Sequence, residues 1–147
     1  IKELVRVVQP GGTVAILAWS SETLLPGYPQ LEAHLRGTAA GISPFVVGKD
    51  PALNFLRALG WFEKAGLKEM YVQTFVGEAH APLTDELRQA LIFLFEMRWS
   101  GVKADLSPAD WADFDRLCNP DSSEFIVNNT DYYAFFTYSM FRGIIPY

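Results

Sequence analysis

The sequence predicts an α/β fold of about three strands and four to five helices. Three observations carry this. Thr13-Val14-Ala15-Ile16-Leu17-Ala18-Trp19 is an almost unbroken apolar run of strand length, rich in residues that favour extended backbone. Leu67 to Gly77 alternates, with Met70, Val72, Thr74 and Val76 on one face and Tyr71, Gln73 and Phe75 on the other. Between the strand-like stretches, apolar residues recur at helical spacing.

In chain order, Ile1 to Val8 has apolar residues at 1, 4, 5 and 8, so one helical face is greasy. No Ser, Thr, Asp or Asn precedes Ile1 as a cap, and the chain is expected to start inside a helix whose earlier turns are missing. Gln9-Pro10-Gly11-Gly12 ends that helix, because proline breaks it and glycine permits a tight turn. The run from 13 to 19 is apolar on both faces, which predicts a strand covered on both sides. Ser20 to Pro29 reads as a loop, about Pro29 to Gly37 as a short helix, and Thr38 to Lys49 as irregular.

Asp50-Pro51 is a helix start, and apolar spacing continues to Gly66, which suits a C-terminal cap. After the strand from 67 to 77, Thr84-Asp85-Glu86 opens a helix running to about Trp99, with acids at its positive end. Ser107-Pro108-Ala109-Asp110 opens another by a capping-box-like spacing, with Trp111, Phe114, Leu117 and Cys118 on its apolar face. Tyr132 to Ile145 is dense in Tyr and Phe and reads as the last strand. The chain is read as a single partial domain over 1–147, with 1–77 the end of a core and 78–147 a helical insertion followed by the final strand.

Bulk properties narrow the function. Of 147 residues, 50% are hydrophobic, 20% charged and 14% aromatic, which is a globular composition. A net charge of −5 repels phosphate backbones, so nucleic acid is excluded as the expected partner. Apolar stretches such as Ala90 to Phe95 are far too short for a bilayer, and no signal-peptide pattern opens the chain. The single cysteine, Cys118, cannot form an internal disulfide, and a cytoplasmic location is expected. Cys118 is read as a small apolar packer.

The order helix, Leu4-Val5-Arg6-Val7-Val8-Gln9-Pro10-Gly11-Gly12-Thr13, buried strand, then a helix ending in Trp61-Phe62-Glu63-Lys64-Ala65-Gly66-Leu67 before the next strand, resembles the C-terminal portion of class I, Rossmann-like methyltransferases that use S-adenosylmethionine. The likeness is firm over 1–77 and looser over 78–147. It implies that the stretch 13–19 is the fifth strand of the family sheet and 67–77 the sixth. The final strand is then the seventh, running antiparallel between those two. It also implies a free hydrophobic edge on 13–19, where the fourth strand belongs, and hence a homo-oligomer joined near that edge.

The family's cofactor site lies in an earlier strand, glycine-rich turn and helix. No such turn occurs here, because Gly11-Gly12 precedes a strand and Gly37 to Gly41 is not flanked in the needed order. No residue is therefore expected to bind the cofactor, and the chain alone is expected to carry none. Metal ligands are not expected either, since no His, Cys and carboxylate cluster has metal spacing.

Family resemblance directs attention to the loop after the fifth strand and to the inserted helices as the wall of a small-molecule acceptor pocket. The candidates are Trp19, Ser20, His80, Phe95 and Trp99, with Trp111 as a further lid residue. Each has a plainer reading. Rings at helical spacing are usually core, Ser20 can be a turn residue, and His80 and His34 can be lone surface histidines. The catalytic base is not identifiable. Three functions stay open: a methyltransferase fragment unable to bind cofactor or catalyse alone, a standalone binding or assembly module derived from one, and a different α/β enzyme.

Overall fold

A computed structural model of the chain describes residues 1–42 and 50–147. The part of the expected irregular stretch that falls on 43–49 lies outside the described residues. Three strands, β1 (Thr13–Thr23), β2 (Lys68–His80) and β3 (Tyr133–Ile144), form one sheet in the order β1-β3-β2. Six α-helices occur among the described residues: α1 (Lys2–Val7), α2 (Pro29–Gly37), α3 (Ala39–Ile42), α4 (Ala58–Lys64), α5 (Asp85–Trp99) and α6 (Pro108–Cys118).

The sheet is antiparallel at both of its junctions. Beside β1, Gly11 N–H donates to the Ile145 carbonyl at 2.8 Å and Ile145 N–H to the Gly12 carbonyl at 2.9 Å. Further along, Ser20 Oγ lies 2.8 Å from Thr137 Oγ1. Numbers rise on β1 as they fall on β3. The same holds for β2, where Thr74 pairs with Ser139 through their hydroxyls at 3.0 Å and Gly77 lies under Phe136.

Several boundaries differ from the sequence reading. The helix count is six, against four to five expected. One reason is that α3 turns within a stretch read as irregular. The segment after Asp50 is also broken. Asp50 does cap, accepting from Ala52 N–H at 2.8 Å, but the turn it starts is a 3-10 turn over Pro51–Leu53. Asn54 is extended at ψ 127° and caps a second such turn, so the α-helix proper begins only at Ala58. β1 extends four residues past Trp19, shortening the loop read from Ser20, and His80 is the last residue of β2 instead of lying beyond it.

The chain divides into two compact units. The first comprises the described parts of Ile1–Ser21, Phe45–Gly77 and Phe136–Tyr147. Its core gathers Val14 and Phe141 from the sheet and Ile145 just past β3 with Ala58 and Phe62 of α4 and with Leu67, while Val5 of α1 and the flanking Ile1 and Val8 pack at its margin. Gly143 makes this possible. A Cβ there would stand 3.0 Å from Leu67 and 3.4 Å from Phe62, so a bare backbone lets α4 settle on β3.

Side chains alternate along a strand, so one face of the sheet holds this core and the other carries Leu17, Trp19, Phe136, Tyr138, Tyr71 and Phe75. On that second face Leu17 is 63% exposed and Tyr71 and Phe75 each 43%. Trp19 stacks on Phe136 with centroids 5.1 Å apart and meets Tyr138 edge-on at 5.3 Å. The expectation that 13–19 is covered on both faces is therefore corrected. Only Val14 of those seven is buried, since every helix residue in this unit's core packs on its side of the sheet.

The second unit comprises Glu22–Pro44 and Glu78–Phe135, again for the described residues. It is helical. Its core is built on Leu24, Leu25, Leu31, Leu35, Leu91, Phe95, Trp99, Leu117, Phe125, Ile126 and Tyr132, which are all buried. α2 packs on α3 and α6, and α3 packs on α5. No helix among the described residues is long and apolar enough to cross a membrane.

Candidate functional site

A concave feature lined largely by aromatic rings lies in the second unit, between α5 and α6. Both helices begin on the caps their sequences provide. Thr84 Oγ1 accepts from Leu87 N–H at 3.2 Å at the head of α5. At the head of α6, Ser107 Oγ accepts from Asp110 N–H at 3.1 Å and donates to Asp110 Oδ2 at 2.7 Å. This exchange, followed by the contact with His34, holds the Asp110 carboxyl below its usual range. His34 Nδ1 donates to Asp110 Oδ1 at 3.0 Å, tying α2 to α6.

Fixed in this way, the helices turn aromatic faces toward each other. Phe95 and Trp99 of α5 lie with ring centroids 5.4 Å apart, Trp99 meets Phe114 of α6 edge-on at 6.2 Å, and Trp111 lies 5.5 Å from Phe114. Imperfect closure of these rings leaves a cavity of about 230 Å³ that opens to solvent. Cys118 forms part of its wall, and Lys103, on the short turn Val102–Ala104, sits at its rim with Nζ 4.8 Å above the Trp111 ring. Burial pushes the Cys118 thiol well above its ordinary range, and the nearby Glu32 carboxylate adds to this. The thiol is an apolar wall and not a nucleophile.

Of the residues proposed from sequence, Phe95 and Trp99 come together here, joined by Trp111. Trp19 and Ser20 belong to the first unit. There Trp19 packs in the aromatic stack with Phe136 and Tyr138. Ser20 belongs to a row of hydroxyls, lying 2.9 Å from Ser139 Oγ and donating to the Thr137 carbonyl at 3.1 Å. His80 is exposed, and its Nδ1 donates to the neighbouring Ala81 carbonyl at 3.1 Å.

Sequence reasoning missed the polar groups that the second unit buries. Glu22 and Arg98 are paired at 1% and 2% exposure. Glu32, 3% exposed, accepts from Leu24 N–H at 2.8 Å and pairs with Arg36 at 3.0 Å. A signal existed for one of them. Arg98 falls on the stripe of Leu91 and Phe95, at a spacing where a charge is out of place unless it has a partner.

The Gly11-Gly12 turn has no room for a ligand against its backbone. Gly11 and Gly12 are the glycine pair nearest a strand, and their own chain fills the turn. A Cβ on Gly11 would stand 2.7 Å from the Tyr147 hydroxyl, and one on Gly12 would stand 2.4 Å from Val8 and 2.8 Å from the Gln9 carbonyl. The turn closes on itself and enters β1, which leaves no open backbone cradle. Among the described residues no group of three or more His, Cys, Asp or Glu is placed to hold a metal ion. Compared with protein-family models the chain matches none, and compared with curated proteins it finds no relative.

Proposed function

We propose that this chain is the acceptor-side, C-terminal part of a Rossmann-like methyltransferase that acts on a small molecule and that by itself neither binds the cofactor nor catalyses. The observation that carries the reading is the strand order. The last strand in sequence, β3, lies in the middle and runs antiparallel to both neighbours, so β1 and β2 are parallel to each other. That is the arrangement the resemblance implies for the fifth, seventh and sixth strands. Two further features support it: α1 and α4, the helices that precede β1 and β2, share one face of the sheet, and the Pro10-Gly11-Gly12 turn leads into β1.

In this reading the remaining sheet joins the free edge of β1 and covers the apolar face around Leu17 and Trp19. The stretch 1–147 by itself is expected to pair through that same edge with a second copy. The acceptor is small and apolar, because the cavity between α5 and α6 is walled by aromatic rings. A cytoplasmic location fits a lone buried free cysteine.

Two measurements test the reading. The coding DNA upstream of Ile1 is expected to contain, in frame, a strand, a glycine-rich turn and a helix. Calorimetry of this chain with S-adenosylmethionine is expected to give no binding heat. An upstream frame encoding something else, or tight cofactor binding by the chain alone, sinks it.

A further inference from the structure

The cavity between α5 and α6 has a size and a chemistry that select its occupant. Phe95, Trp99, Trp111, Phe114 and Cys118 form its wall, and polar atoms contribute little of the lining. Apolar cavities of about 150 Å³ stay dry and admit a single benzene-sized ring. At about 230 Å³ this one has room for two fused rings. Flat aromatic matter suits it, since offset and edge-on ring contacts are the packing that such walls prefer.

The rim adds a polar requirement. Lys103, exposed at the rim, holds its Nζ over Trp111 at 4.8 Å, where it has cation–π attraction. An occupant with an oxygen at one edge would offer that ammonium an acceptor without moving it off the ring. Glu96 also lines the cavity, but Lys103 already holds the Trp111 ring face, so a cationic occupant would compete with that ammonium for the ring and be repelled by it. We infer that the cavity binds a fused two-ring aromatic alcohol, its rings between α5 and α6 and its hydroxyl oxygen accepting from Lys103. Naming this molecule the methyl acceptor rests on the proposed function, but its binding does not.

The test uses the chain as it is, with 2-naphthol and the cation 2-naphthylmethylammonium as probes. The four tryptophan indole N–H signals are followed by NMR. Saturable shifts at Trp99 and Trp111 with 2-naphthol are expected, with Trp19 and Trp61 still, and a Kd of roughly 0.1–1 mM for so small a ligand. The cation is expected to bind at least about five-fold more weakly, a gap that Lys103→Met closes. Ile92 also lines the cavity, and filling that space with Ile92→Trp abolishes the 2-naphthol shifts. Should that variant not fold, Cys118→Leu, which narrows the same wall, is expected to weaken binding several-fold.

No saturable shift, equal shifts at all four tryptophans, or equal binding of the cation overturns the inference. A positive result together with an upstream sequence that lacks any cofactor motif leaves the pocket standing and removes only the methyltransferase reading.

Discussion

Arg98 Nε donates to Glu22 Oε1 at 2.7 Å, joining α5 to the end of β1 across 76 residues of sequence. Arg98 Nη2 also donates to the Gly41 carbonyl at 3.2 Å, so the same guanidinium holds α3. The pair is sealed from water, and its worth lies in what happens when one partner is lost. Two charges buried together offset each other's desolvation, whereas one charge left behind does not.

Arg98→Met is therefore expected to destabilise the fold by about 3–5 kcal/mol. Combining it with Glu22→Leu is expected to cost less than Arg98→Met alone, because no charge is then stranded. Urea unfolding followed by circular dichroism measures both. A double variant less stable than the single one would refute the argument.

Gly77 permits a cross-strand contact that no other residue allows. A Cβ there would fall 2.4 Å from Phe136 Cε2, inside any real contact distance, and Phe136 is the ring on which Trp19 stacks. Gly77→Val should force Phe136 out of that stack and cost about 1–3 kcal/mol. Near-ultraviolet circular dichroism should lose aromatic signal in the same variant, and an unchanged spectrum would argue against it.

Stability should fall in alkali, and the sign follows from two groups. Burial raises both the Cys118 thiol and the Tyr132 phenol, with the neighbouring Glu32 carboxylate adding to each. Below pH about 8.5, an unfolded cysteine's ordinary value, both forms of the chain keep these protons and the groups contribute nothing to the pH dependence. As pH rises past that value the unfolded chain releases protons that the folded one retains. Each group then weakens folding by about 1.4 kcal/mol per pH unit, the tyrosine joining near pH 10. Melting temperatures measured from pH 7 to 11 should drop with this onset. Cys118→Ala should move the onset up toward the tyrosine range.

Leu17 stands on the outer strand β1 at 63% exposure, next to the unpaired strand edge. If two copies meet there, a charge at that position should separate them, as lysine does on natural sheet edges. Light scattering of the wild-type chain at about 100 μM is expected to give a dimer mass, and Leu17→Lys a monomer mass. A wild-type monomer at that concentration would rule out the dimer.

Much of the site's scaffolding was legible because it is local. The caps at Thr84 and Ser107 join groups three residues apart, so the spacing of Ser107 and Asp110 already contained the bond they make. Phe95, Trp99, Trp111 and Phe114 fall at helical intervals, so their shared faces followed from the period. That the two faces meet imperfectly and leave a cavity did not follow, since it depends on how closely two helices from different parts of the chain approach. The break at Asn54 was hidden for a related reason. Apolar spacing ran through it, while its side chain accepts from Leu56 N–H at 3.0 Å and starts the backbone afresh.

By itself the sequence determined the three strands, the turns at Gly11 and Gly66 and the main helix starts, because each is decided by neighbours a few residues away. Only the tertiary structure decided that one face of Thr13 to Trp19 is bare, that β3 lies between β1 and β2, and that Arg98 has Glu22 for a partner. These depend on which distant segments arrive beside a residue, and water exclusion there is a property of the assembled layers that no local pattern records.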